Sequence, residues 1–125
     1  MIAARIVIAG ALLAGAWAVS AKPAAKPAGP APQDLVLARQ AGMAMSAATL
    51  NLIKGSRANG VPLKNLAFPA GGLAKWAAAS PALFAESTRG VPSRALPAVW
   101  TNKADFAAKA KAFADATRAL ADAAK

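Results

Sequence analysis

Phe106, Ala110, Phe113, Thr117, Leu120 and Ala124 recur at intervals of four, three, four, three and four residues. An α-helix turns that spacing into one continuous stripe, because side chains three and four apart share a face. A stripe two heptads long is the seam of a helix bundle, so a chain that carries it has to bring other helices to cover it. Thr101 or Asn102 can cap the start of this helix. Asp105 puts negative charge in its first turn, where the helix dipole favours it. The seam is still running at Lys125, and no glycine stop follows it.

Two further helical stretches precede it. The first is predicted from Gln33 to Lys54, with Gly55 as its stop. Leu35, Ala38, Gly42, Met45, Thr49 and Leu52 form one stripe, and Val36, Arg39, Met43 and Leu50 form its neighbour. Together they make a broad apolar face suited to a bundle interior, interrupted by Arg39 with Met43 one turn further along. The second helix is predicted to start securely at Pro69, since proline is tolerated in a first turn, and to end or kink at Pro81. Strand-like alternation is absent. The pattern therefore predicts an all-α fold: an up-down bundle of three helices that are rich in alanine and bury little area per turn. About 90 residues is near the low end for a self-sufficient core. A fourth helix or a second copy of the chain is expected to cover what these three leave exposed.

The amino-terminal part reads differently. Met1 to Arg5 is short and carries one positive charge, Ile6 to Ala18 is uninterrupted and apolar, and small residues follow at Val19 and Ala21. This is the plan of a secretory signal peptide over residues 1–21. Thirteen apolar residues fall short of the roughly 20 that span a bilayer, so no stable membrane insertion is expected after cleavage. Residues 22–32, "KPAAKPAGPAP", hold four prolines and no large apolar side chain, which predicts an extended linker ahead of a helical domain over 33–125. The expected location is the bacterial periplasm.

Charge and composition narrow the function. The chain carries +10, or +9 once Arg5 leaves with the signal. Nucleic acid is not the expected partner: export argues against it, and on the last helix the lysines are interleaved with Asp105, Asp115 and Asp122. An acidic protein or a membrane surface stays open as a partner. There is no cysteine and no histidine, hence no disulfide, thiolate metal site, thiol nucleophile, imidazole ligand or histidine base. Five scattered carboxylates offer no acid pair. The chain does not read as an enzyme.

Three segments carry a family resemblance. "LVLARQAGMAM", from Leu35, resembles the first helix of the cytochrome c-prime and cytochrome c556 group, in which an arginine is followed four residues later by a methionine or leucine. "LAKWAAASPALFAEST", from Leu73, resembles the end of that group's second helix with its proline–phenylalanine exit. "RALPAVWTNKADFAAKAKAF", from Arg94, resembles the approach to its third helix: a Leu-Pro-x-x-Trp brace with a phenylalanine six residues after the tryptophan. The resemblance covers Asp34 to Lys125 and implies an exported four-helix bundle that holds one haem c and transfers one electron to a redox partner.

It also implies roles. Arg39 would face a haem propionate, and Met43 would lie on the distal side of the iron, as its sixth ligand in the c556-like branch. In the c-prime branch a non-ligating side chain there leaves the iron open to small gases. Met45, about 200° around the helix from Met43, competes for the place. Phe84, Trp100, Phe106 and Phe113 read as packing residues. The departure from the group is large. Its fourth helix supplies Cys-x-x-Cys-His, for both thioether links and the proximal ligand, and no residue here can inherit those roles. The preferred expectation is a truncated chain that lacks the haem-attachment helix. A degenerate bundle without cofactor and a cofactor-free exported structural or interaction module, covered by a partner or as a homodimer, are the alternatives.

Overall fold

A computed structural model describes residues 29–125, and all of its regular structure is helical. The signal peptide assigned to residues 1–21 lies outside the described residues, as does the linker through residue 28. Four α-helices follow in order: α1 (Pro32–Ala58), α2 (Ala67–Ala79), the single-turn α3 (Ala98–Thr101) and α4 (Lys103–Ala123). Short 3-10 turns at Leu63–Leu66, Ser80–Phe84 and Glu86–Thr88 fill the connections.

α1 opens at Pro32, which the sequence places in the linker, with its proline in the first turn and Asp34 beside the positive end of the dipole. It also runs through Gly55, the predicted stop, and ends three residues beyond it at Ala58. Glycine costs about 1 kcal/mol inside a helix relative to alanine, a small sum against the burial of a neighbouring isoleucine. Ile53 packs with Leu66, Ala70 and Ala124 and holds that last turn in helical form. The turn that ends α1 falls instead at Gly60, whose φ of 80° is open to glycine and strained for other residues.

α2 starts at Ala67, with Pro69 inside its first turn, where the unbonded amides make a missing N–H harmless. Its α-helical part ends at Ala79, and Pro81 sits in the 3-10 turn that continues it. The proline-braced turn before the third predicted helix is itself the one-turn α3. Asn102 then caps α4 by accepting the Asp105 amide at 3.4 Å.

The ends of the helices set the topology. The last turns of α1 and α4 meet the start of α2 in the Ile53, Leu66, Ala70 and Ala124 cluster. At the opposite end Gly42 of α1 meets Trp76 of α2, and side chains of early α1 and early α4 converge on Phe84. α2 thus runs antiparallel to both long partners. It packs most extensively on α4 and next on α1, while α1 and α4 barely touch each other. The three long helices pack in the order α1, α2, α4, with α2 between the other two.

The buried face of α1 is narrower than the predicted one and runs along the boundary of its two stripes, drawing residues from both. Val36, Arg39 and Ile53 are buried, and Gly42, Ser46 and Thr49 are half-buried between them. Met45 and Leu52, expected inside, are 70% and 56% exposed. The reason is steric. An ideal Cβ built on Gly42 would lie 2.0 Å from Cη2 of Trp76, so α2 approaches α1 at the position that has no side chain, and the long residues turn outward. On α4 the predicted stripe faces inward along most of its length: Thr117 and Ala124 are buried and Phe106, Ala110 and Leu120 half-buried, while Phe113 lies just on the exposed side.

Candidate functional site

Arg39 is 3% exposed and lies on the inner side of α1. Its guanidinium donates through Nη1 to the Leu83 carbonyl at 3.2 Å and to Thr88 Oγ1 at 2.8 Å, and through Nη2 to Ser93 Oγ at 2.9 Å. The ring of Phe84 covers it at 4.7 Å and that of Trp100 at 5.7 Å, so the cation sits between two aromatic faces. No carboxylate is among these partners. Burial pulls the Arg39 pKa down from its ordinary value. An arginine's ordinary value lies so far above neutrality that the group stays charged at neutral pH all the same.

The surroundings of Arg39 are held in turn. Trp100 donates its indole N–H to the carbonyls of Phe84 and Ala85, at 3.1 and 3.3 Å. The Thr88 hydroxyl accepts from Arg39 and donates to the Ala85 carbonyl at 2.7 Å, so its buried oxygen is satisfied both ways. Phe84 leans on Phe106 of α4 with ring centroids 5.0 Å apart. One residue of α1, one segment between α2 and α3, and the first turn of α4 thereby become a single cluster. Phe84, Trp100 and Phe106 pack as the sequence predicts.

Beside this anchor a groove of about 600 Å³ opens between α1 and the segment that follows α2. Arg39, Met43 and Phe84 line it, with Gln40, Ser93 and Arg94 supplying further polar groups. Arg39 and Met43, the two residues singled out from the sequence, therefore share one groove, and Met43 is 47% exposed within reach of it. Met45 lines a different groove, of about 470 Å³, between α1 and α2 with Phe68 and Trp76. Of the described residues, Trp76 Nε1 is the buried side-chain polar atom that finds no partner, so this indole is held by its packing on Gly42. Thr88, Ser93 and Arg94 were not foreseen. Nothing local marks them, because the bonds from Arg39 span 44 to 54 residues.

Val36, Met43 and Leu50 lie seven apart on α1, and Phe106, Phe113 and Leu120 seven apart on α4. Each set shares a face. Phe84 touches both sides, lining the groove with Met43 and stacking on Phe106. Leu50 and Phe113 remain partly exposed. A groove beside a buried arginine, walled by α1 and the segment after α2 and linked to α4 through Phe84, defines a class: an all-α bundle with room for a small group beside its first helix.

The family comparison agrees. The cytochrome C' family model matches residues 34–125, most of the chain, and the protein belongs to that family. No curated protein and no solved structure matches it. The family implies haem, and the donor set here tests that implication. Covalent haem c needs two thiols and an axial imidazole, and the sequence has neither cysteine nor histidine. Among the described residues no group of His, Cys, Asp or Glu is arranged to hold a metal ion. These residues do not fit covalent haem by themselves.

Proposed function

We propose that this chain supplies three helices and the distal wall of a periplasmic haem-binding electron carrier. The thioether links and the proximal imidazole then come from a Cys-x-x-Cys-His helix that is not among these residues. The observation that carries the reading is the groove of about 600 Å³ beside Arg39, lined by Met43 and Phe84, in a fold whose α1 and α4 barely touch. A haem bound there would take and give one electron with a redox partner protein. In this reading Met43 lies on the distal side and Met45 does not, since only Met43 shares a groove with Arg39. The role of Arg39 toward a propionate is carried by the donors left over from its three protein bonds, with Arg94 on the same groove. Export by the leader at residues 1–21 accords with the family's periplasmic setting, and among the described residues no helix is long and apolar enough to cross a membrane.

A second reading has its own observation. Arg39 is held by protein acceptors and aromatic rings with no cofactor present, which a cofactor-free exported helical module would also require.

The two separate on titration of the exported chain with a peptide bearing haem c on its own Cys-x-x-Cys-His. The carrier reading expects saturable binding with a shifted Soret band. Sulfur ligation by Met43 would add a sulfur-to-iron charge-transfer band that Met43→Ala abolishes and Met45→Ala keeps. Saturable binding without that band assigns the chain to the five-coordinate branch. Absence of binding supports the cofactor-free module.

A further inference from the structure

Between Asp34 and Glu86 the sequence has no carboxylate, yet it has Arg39, Lys54, Arg57, Lys64 and Lys75. Lys54, Arg57 and Lys64 fall together where α1 gives way to the approach to α2, and all are exposed. This corner is at the far end of α1 from Arg39. Its backbone is well tied. Arg57 donates through Nη1 to the Val61 carbonyl at 2.7 Å, Asn59 Nδ2 donates to the Gly55 carbonyl at 2.9 Å, and the Val61 amide donates to the Ser56 carbonyl at 3.0 Å. Among the described residues no ion pair takes up Lys54, Arg57 or Lys64. The end of α4 meets α1 here through Ala124 and Ile53 and brings no spare acid, since Asp115 and Asp122 are already bonded to Lys111 and Lys125. Arg57 has a local reason for its place, because the last turn of a helix favours a cation. Lys64 has none: it lies just ahead of α2, at the helix end that disfavours one.

We infer that this corner docks on an anionic lipid surface, resting on the bilayer without entering it. Between the cations runs an apolar turn, Val61, Pro62 and Leu63, with Pro62 exposed and the other two half-buried against the core. Lysine and arginine flanking an apolar tip suit a lipid–water boundary, where phosphate headgroups take the charges and the tip lies among them. An acidic protein would match the cations and leave the tip against carboxylates, so the lipid surface fits both halves of the corner. Cations carried on a fixed turn also lose little backbone freedom on docking. Export by the leader expected at residues 1–21 releases the chain beside such a surface. The proposal is independent of the haem reading, which concerns the other half of α1.

The test is co-sedimentation of the exported chain with phosphatidylcholine vesicles, plain or carrying about one third phosphatidylglycerol, in about 0.1 M salt. Binding is expected to the anionic vesicles alone, and to disappear in about 0.5 M salt, where screening shortens the reach of each charge. Lys64→Glu should weaken it about tenfold. Lys75→Glu makes the same change of charge about three turns away, on α2 and beyond a Debye length, and should leave binding within about twofold of the parent. Both lysines are exposed, so circular dichroism is expected to match the parent in each variant. Absence of binding to the anionic vesicles overturns the proposal, and retention of soluble polyglutamate by the same chain would then give the corner to an acidic protein. Equal losses in the two variants also overturn it, since they report net charge and no particular surface. So does binding that survives Lys64→Glu, which points to Lys22 and Lys26 of the linker.

Discussion

At the residue scale the decisive feature is a buried arginine with no acid to pair with. Three neutral acceptors and two aromatic faces take the place of a carboxylate. A hydrogen bond to a charged group contributes about 1.5–3 kcal/mol, and burying the charge works against that gain. The two opposing effects predict an unusual ranking of variants. Arg39→Lys keeps the charge but loses the planar fork and the stacking, and should cost about 2 kcal/mol or more. Arg39→Met gives up the bonds together with the desolvated charge and should cost less. Urea denaturation of both proteins checks the order. The sequence showed Arg39 as an interruption of an apolar face and gave no sign of Leu83, Thr88 or Ser93 as its partners. Such contacts are set by how the chain folds back, and no local pattern encodes them. Trp100 was legible because its brace is local: the indole N–H reaches carbonyls only 15 and 16 residues away across a turn that the proline shapes.

At the element scale the long helices were legible from periodicity, and their limits and facing were less so. α4 was the clearest because its seam is regular and its cap, Asn102, has the local chemistry of a cap. The face of α1 is broader in the sequence than in the fold, since hydrophobicity alone ranks Met45 and Leu52 above Gly42 and Ser46. Close packing against Trp76 reverses that order by favouring the position with no side chain. The stop of α1 differs from the expected one for a related reason. Two glycines lie five residues apart, and only Gly60 has the backbone angle that requires one. This yields a paired prediction. Gly55→Ala sits in a helix interior with open space around its Cβ and should stabilise by up to about 1 kcal/mol. Gly60→Ala, at φ 80°, should destabilise by about 1 kcal/mol, since a Cβ disfavours the left-handed region. Thermal melts of opposite sign are the expected outcome, and equal shifts would contradict the placement of the turn.

At the scale of the whole molecule, charge and topology act together. The ion pairs along α4, Lys109 with Asp105, Lys111 with Asp115 and Lys125 with Asp122, are exposed and contribute little to stability. They do set the pH response. Hydrogen bonds from Lys111 and Lys125 hold the Asp115 and Asp122 carboxyls below their ordinary value. A carboxyl depressed in the folded state contributes stability that is present above the unfolded pKa, about 3.9, and lost as pH falls through the lowered folded value. The chain has no histidine and no cysteine, the side chains whose ordinary values lie nearest neutrality. The melting temperature should therefore be flat from about pH 5 to 8 and decline modestly only in acid; a step near neutrality would contradict it.

That a haem-bearing helix packs between α1 and α4 is the central claim, and a footprint of that helix tests it most directly. Amide chemical shifts of the labelled chain, followed as the haem peptide is added, report which face receives it. The account predicts changes concentrated at Met43, Leu50, Phe84, Phe106 and Phe113, with Met45, Leu52 and Phe68 undisturbed. Changes centred on Phe68 and Met45, or none at all, would contradict it.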